Sequence, residues 1–278
     1  MRKLVLSKIL QMKTYFSIAL FLCLLISSCS KNEETTNNQS NNGQLAIKFD
    51  PIINDKKLIL NESIYTNKSL ETFTISMAKF FVSNIQLKTA AGSIYTIPKK
   101  DSYFLIDVQD PSSLRINLEV PEHDYTELIF NLGIDSLTNT LPIEERTGIL
   151  DVSNGMYWGW NSGYIFFKLE GSSPQSNNDN KKIAYHIGLF GGYNSPTVNN
   201  NRLVKVDLKP AGTAKVKQNL SADIHLMVDF GKIFDGTHKI AIKDYSTVMT
   251  SGPHQKIADN YATMFRHDHT HNYQKISK

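Results

Sequence analysis

Apolar residues fall on every second position in five separate stretches, and that period confines the chain to strands with one buried face. Leu45, Ile47 and Phe49 alternate with Ala46 and Lys48. Phe73, Ile75 and Met77 alternate with threonine and serine, and Leu114, Ile116 and Leu118 with Arg115, Asn117 and Glu119. Val204, Val206 and Leu208 repeat the pattern, as do Ile224, Leu226 and Val228 between Asp223, His225 and Asp229. Turn residues separate the stretches: Ala91-Gly92-Ser93, Pro98, Asp110-Pro111 and Pro210-Ala211-Gly212. Many short strands with little helix predict a mainly β fold, an antiparallel two-sheet sandwich-like domain with long loops, over residues 43–266. One short C-terminal helix is expected from Gln255 to Phe265, where Ile257, Ala258, Tyr261 and Phe265 share a face.

The first 28 residues have a different physics. Arg2, Lys3, Lys8 and Lys13 form a basic head, and Tyr15 to Ile26 run almost wholly apolar, too short to span a bilayer as a helix. Ile26-Ser27-Ser28-Cys29 resembles the bacterial lipobox, which predicts a lipoprotein signal peptide over 1–28 and lipid on Cys29. Translation starts at Met1 or at Met12, which opens a tidier signal. Residues 29–42 continue as a polar stretch with no side chain to bury, expected to be a disordered tether. The expected product is an outer membrane lipoprotein, facing periplasm or surface and held to the membrane by its lipid anchor.

Charge and cysteine count narrow the chemistry. The formal charge of +4 resides in the four basic residues of the signal; the remaining 26 Lys and Arg match 26 Asp and Glu, which gives no argument for nucleic acid. Both cysteines, Cys23 and Cys29, lie in the signal and at the lipid site. Thiolate metal sites, disulfides and cysteine nucleophiles are thereby excluded from the mature domain. No nucleophile elbow, HExxH pair or phosphate-binding glycine loop is present, so the expected protein is not an enzyme.

Four places offer donors. In Gly133–Asn139, Asp135 and Asn139 could take a second cation such as calcium, or Asp135 could cap a turn. In Asn154–Tyr164, an extended strand would set Met156, Trp158 and Trp160 on one face. Those indoles read as a core plug or as a binding face. In Tyr185–Gly188, His186 faces away from Tyr185 and Ile187, as a metal ligand or as a hydrogen-bonding group. His254 precedes the expected helix. His267, His269 and His271 alternate in residues 267–278, expected as a tail that is solvated or loosely metal-binding.

These segments resemble the MbnP-like copper-binding proteins, which are associated with methanobactin systems. The resemblance rests on Gly133-Ile134-Asp135-Ser136 with Asn139, the Asn154–Tyr164 segment, Lys168–Gly171, Tyr185–Gly188 and Ile257–Phe265, and on the strand segments Phe80–Ile85 and Tyr103–Asp107. It implies copper held by histidine and by a tryptophan oxidised to kynurenine, with a di-haem peroxidase as oxidising partner and a TonB-dependent transporter as neighbour. Carried onto this chain, Trp158 or Trp160 is the oxidised residue, His186 the imidazole ligand and His254 a second. Indole offers metal only a donor N–H, whereas kynurenine presents an aryl amine and a ketone. Met156 adds a thioether suited to Cu(I), or packs. The expected function is copper acquisition, storage or transfer. The alternative is a metal-free surface module binding glycan or a partner protein through the Trp158/Trp160 face. Two solvent-facing indoles would favour the second, indoles turned inward toward His186 the first.

Overall fold

The computed structural model describes residues 41–161 and 163–275; the signal and Cys29 lie outside them. Sixteen strands occur among the described residues: β1 (Asn42–Ile53), β2 (Lys56–Lys57), β3 (Tyr65–Thr66), β4 (Thr72–Thr89), β5 (Ile94–Thr96), β6 (Tyr103–Asp107), β7 (Arg115–Pro121), β8 (His123–Leu132), β9 (Tyr157–Trp158), β10 (Gly163–Ser172), β11 (Lys182–Gly188), β12 (Arg202–Asp207), β13 (Ala214–Val216), β14 (Leu220–Asp229), β15 (Thr247–Val248) and β16 (Phe265–Lys275). Three short helices join them: α1 (Ser136–Asn139), α2 (Lys232–Asp235) and α3 (His254–Tyr261).

The strands form two sheets. The smaller runs β16-β14-β1-β2, with β7 also on β1; the larger runs β12-β8-β4-β10-β11-β15, with β13 on β8, β9 on β10, and β3, β5 and β6 on β4. The mainly β sandwich expected from the alternation is present. Its sheets are mixed rather than wholly antiparallel, because β1 pairs with β14, and β11 with β15, in parallel. Alternation fixes which face is buried but says nothing of the direction in which two strands meet.

Both inner faces supply the core. Leu45, Ile47 and Phe49 of β1 and Ile224, Leu226 and Val228 of β14 are buried, as their spacing requires. Rings lock across the gap: Phe49 meets Phe80 of β4 edge-on at 6.0 Å, and Phe265 of β16 meets Phe130 of β8 at 5.0 Å. The period breaks twice in β4: after Val82, where the register against β8 shifts and Ile85 and Leu87 become the buried residues, and earlier at Met77. Phe73 and Ile75 are buried but Met77 is only half-buried, and Ala78 and Phe80 take over the inward phase. The cause is a bulge: Ile75 pairs with Gly171 and Met77 with Glu170, leaving Ser76 as the extra residue. A Cβ on Gly171 would overlap the Thr74 carbonyl, so the bulge needs glycine there.

Two expectations at the C-terminus are corrected. The helix ends at Tyr261 rather than Phe265, closed by the Ala262 N–H on the Ala258 carbonyl and the Thr263 N–H on the Asn260 carbonyl. Ile257, Ala258 and Tyr261 are buried as expected, while Phe265 reaches the core as the first residue of a strand. That strand, β16, carries the histidines expected in a tail and pairs antiparallel with β14 from Phe265 to Lys275.

Candidate functional site around Gly188

The two tryptophans part company. The strand bearing them is two residues long, Tyr157–Trp158, and pairs with Gly163–Tyr164 of β10. Beyond Trp158 the chain turns, with the Asn161 N–H reaching back to the Trp158 carbonyl at 3.3 Å. Trp158 therefore points into the protein, 4 % exposed beside the buried Met156, while Trp160 rides the turn at 65 % exposure. This corrects the expectation that all three share one face, because a turn does not keep a strand's period. The two rings still touch, with centroids 5.6 Å apart at 44°.

Trp158 lies against Gly188 at the end of β11. A Cβ there would overlap both the Trp158 ring and the Tyr164 carbonyl, so glycine is what admits the indole. The buried Trp158 Nε1–H has no hydrogen-bond partner among the described residues. The other side of Gly188 is held by Asn200, whose Nδ2 donates to the Gly188 carbonyl at 2.7 Å and lies 3.1 Å from His254 Nδ1. Tyr261, fully buried on α3, donates its hydroxyl to the Asn200 carbonyl and fixes that hub. Trp158 and Asn200 thus meet at Gly188, and His254 joins them through Asn200.

His186 is two positions earlier on the same side of β11, directly opposite Lys168 of β10. Its Nε2 lies 2.8 Å from Glu170 Oε1, and that carboxylate is 3.6 Å from Lys168 Nζ. Burial pulls the His186 imidazole below its ordinary value, against the Glu170 hydrogen bond, which raises it. With Nε2–H donated to Glu170, Nδ1 carries the lone pair a metal would need. His254 is also pulled down by burial. With the Asn200 amide donating to its Nδ1, the proton sits on Nε2; ligation through Nε2 would need the other tautomer, and ligation through Nδ1 would need Asn200 to give way. Beside it a cavity of about 700 Å³ opens between Leu141, Arg146, Phe190 and Tyr193.

The Asp135/Asn139 pair serves as a capping device, the other of its two expected roles. Asp135 accepts from the Thr138 N–H at 3.1 Å, from the Tyr103 hydroxyl at 2.5 Å and from Lys99 Nζ at 3.0 Å. Burial alone would raise its carboxyl; the Tyr103 and Lys99 bonds outweigh it and hold the group below the usual range. Asn139 donates to the Ile134 carbonyl at 2.7 Å and accepts from the Tyr164 N–H at 3.0 Å.

His225 was not singled out by sequence reasoning. It faces outward from β14, and β16 sets His269 directly opposite it, with His271 two residues further along. A bulge at Asp268 shifts the phase, so His267 pairs with Leu226 instead and its Nε2 lies 2.9 Å from Thr270 Oγ1. The clue was the alternation in His267-Asp268-His269-Thr270-His271, which is a strand's period as much as a tail's composition.

The architecture and these histidines define a two-sheet β protein with imidazoles and a buried indole as its distinctive donors. The profile of the MbnP family matches residues 42–250, and the chain belongs to that family. The solved structure of MbnP from Methylosinus trichosporium has the same fold, with a TM-score of 0.52, 15 % sequence identity, and coverage of 76 % of this chain and 82 % of that one. No curated protein matches the sequence.

Proposed function

We propose that this chain is an exported outer membrane lipoprotein that binds copper for acquisition, storage or transfer, without turnover of its own. The observation that carries the reading is the buried indole of Trp158, packed on Gly188 of the strand that also carries His186, with no partner for its N–H among the described residues. A buried N–H without a partner costs about 1–3 kcal/mol, a strain a fold keeps at a working site more readily than in plain core. The donor set fits copper in part. His186 is kept neutral with Nδ1 free, and imidazole suits copper, while indole itself supplies no lone pair. Oxidation of Trp158 to kynurenine would turn that position into a ligand: the indole C2–C3 bond is cleaved and each carbon gains an oxygen, four electrons pass through a di-haem peroxidase to two molecules of hydrogen peroxide, and hydrolysis releases C2 as formate, leaving the aryl amine and ketone. Trp160, exposed and in contact with Trp158, then belongs to the surface such a partner meets. A TonB-dependent transporter would be the neighbour on the import side, and lipid on Cys29 would hold the protein at the membrane.

The alternative, a metal-free module gripping a glycan or a protein with both tryptophans, loses support from the burial of Trp158. Peptide mapping of the chain from its native host, grown with copper, separates the tryptophans. Trp158 is expected oxidised and Trp160 intact in the copper-bound protein. Trp158 found intact in protein carrying copper that a His186→Ala variant loses would overturn the assignment.

A further inference from the structure

Away from Gly188, on the outer face of the smaller sheet, three imidazoles converge. His225, His269 and His271 each offer a nitrogen, and these atoms lie within 4.8 Å of one another, the one such group of histidine and carboxylate donors found among the described residues. His225 and His269 stack at 4.3 Å, and His269 Nε2 faces His271 Nε2 at 3.0 Å. Two imidazole nitrogens that close share one proton on the line where a metal would sit between them. Bonds of about 2.0–2.1 Å to a common ion place tetrahedral ligand atoms roughly 3.3 Å apart, so small ring rotations complete the set.

The surroundings also suit a metal. Asp268 Oδ2 lies 2.7 Å from His269 Nδ1, and Asp50 Oδ2 lies 3.4 Å from His225 Nδ1. A carboxylate on one ring nitrogen fixes the tautomer and leaves the other nitrogen's lone pair free, the arrangement found behind metal-bound histidines. Neighbouring cations are engaged by carboxylates: Lys48 Nζ pairs with Asp50 at 2.9 Å, Arg115 with Asp223 at 2.8 Å, and Arg266 with the other oxygen of Asp268 at 3.7 Å. His225 is mostly buried and His271 exposed, which leaves a fourth coordination position open to water.

We infer that His225, His269 and His271 form a second metal site, distinct from the tryptophan site and independent of tryptophan oxidation, that takes a divalent transition ion through three imidazoles. Copper(II) stands highest in the affinity order for nitrogen ligands, with zinc(II) below it. Because the ligands lie on two strands, the ion ties the terminal strand β16 to β14.

The test uses the full-length Trp158→Phe protein in detergent, so that failure of the copper reading at Gly188 leaves this result untouched. Titrated with Cu(II), it is expected to bind near-stoichiometrically and to show nitrogen couplings from three imidazoles by electron paramagnetic resonance. His269→Ala and the exposed His271→Gln are each expected to weaken binding by at least the roughly 10–100-fold that loss of an outer-shell partner costs. Zn(II) should raise the unfolding midpoint of this protein and leave that of a His225→Ala/His269→Ala/His271→Gln variant unmoved. Binding of either ion undiminished in His271→Gln, or no more Cu(II) bound than by the triple variant, would overturn the inference.

Discussion

Trp158→Ala is expected to lower the free energy of unfolding by about 2–4 kcal/mol, and Trp160→Ala by less than about 0.5–1 kcal/mol, read from guanidinium denaturation midpoints at unchanged slope. The two residues sit two positions apart and their rings touch, so the contrast tests the turn after Trp158 directly. Truncating a buried indole ordinarily costs about 3–5 kcal/mol in lost burial and cavity. Here part of that is returned, since the buried Nε1–H has no partner and its removal relieves a desolvation cost of about 1–3 kcal/mol. Trp158→Phe separates the contributions, being expected to cost clearly less than alanine by keeping an aromatic ring over Gly188. Equal costs for the two alanine variants would mean that the indoles do not divide between core and surface.

A second large effect is expected far from any donor cluster. Glu71 is 3 % exposed, yet its carboxylate accepts from the Ile242 N–H at 2.7 Å, from the Lys243 N–H at 3.0 Å and from Asn67 Nδ2 at 2.8 Å. Glu71→Ala strands three donors, and hydrogen bonds to a charged acceptor are worth about 1.5–3 kcal/mol each, so a net loss of about 3–5 kcal/mol is expected after water and backbone relax. The consequence reaches the site. Residues 242–248 lead into β15, which pairs with Ala184 and Tyr185 of β11, next to His186. Hydrogen exchange should therefore speed up at β15 and β11 before the smaller sheet is affected. A loss below about 1 kcal/mol would show that the carboxylate is not what anchors this segment.

What the sequence reveals and what it hides divide along physical lines. The strands of β1 and β14 are legible because one face of each is buried along its whole length, and Ile224, Leu226 and Val228 can occupy no other phase. The direction of their pairing is hidden, since burial constrains faces and not neighbours. The fates of Trp158 and Trp160 are hidden too: the period holds only while the strand continues, and β9 stops after two residues. Gly159 is the local hint of that stop. His186 is legible as an outward residue between Tyr185 and Ile187, but its tie to Glu170 depends on the register of β10 against β11. The three-histidine group is the hardest case. His225 lies 44 residues before His269, and only the pairing of β16 with β14 sets them face to face. Asp268 adds the bulge that rotates His267 out of the group. Glu71 shows locally only its bond to Asn67, because the Ile242 and Lys243 N–H groups that it anchors lie more than 170 residues away.

The most direct test of the copper reading is the copper content of the full-length chain purified from its native host after growth with added copper, beside its Trp158→Phe variant. The account predicts that the wild-type protein carries about one copper ion more per chain than the variant at unchanged fold, the remainder being what the three-histidine site holds in both. A folded wild-type chain that carries no copper would contradict it.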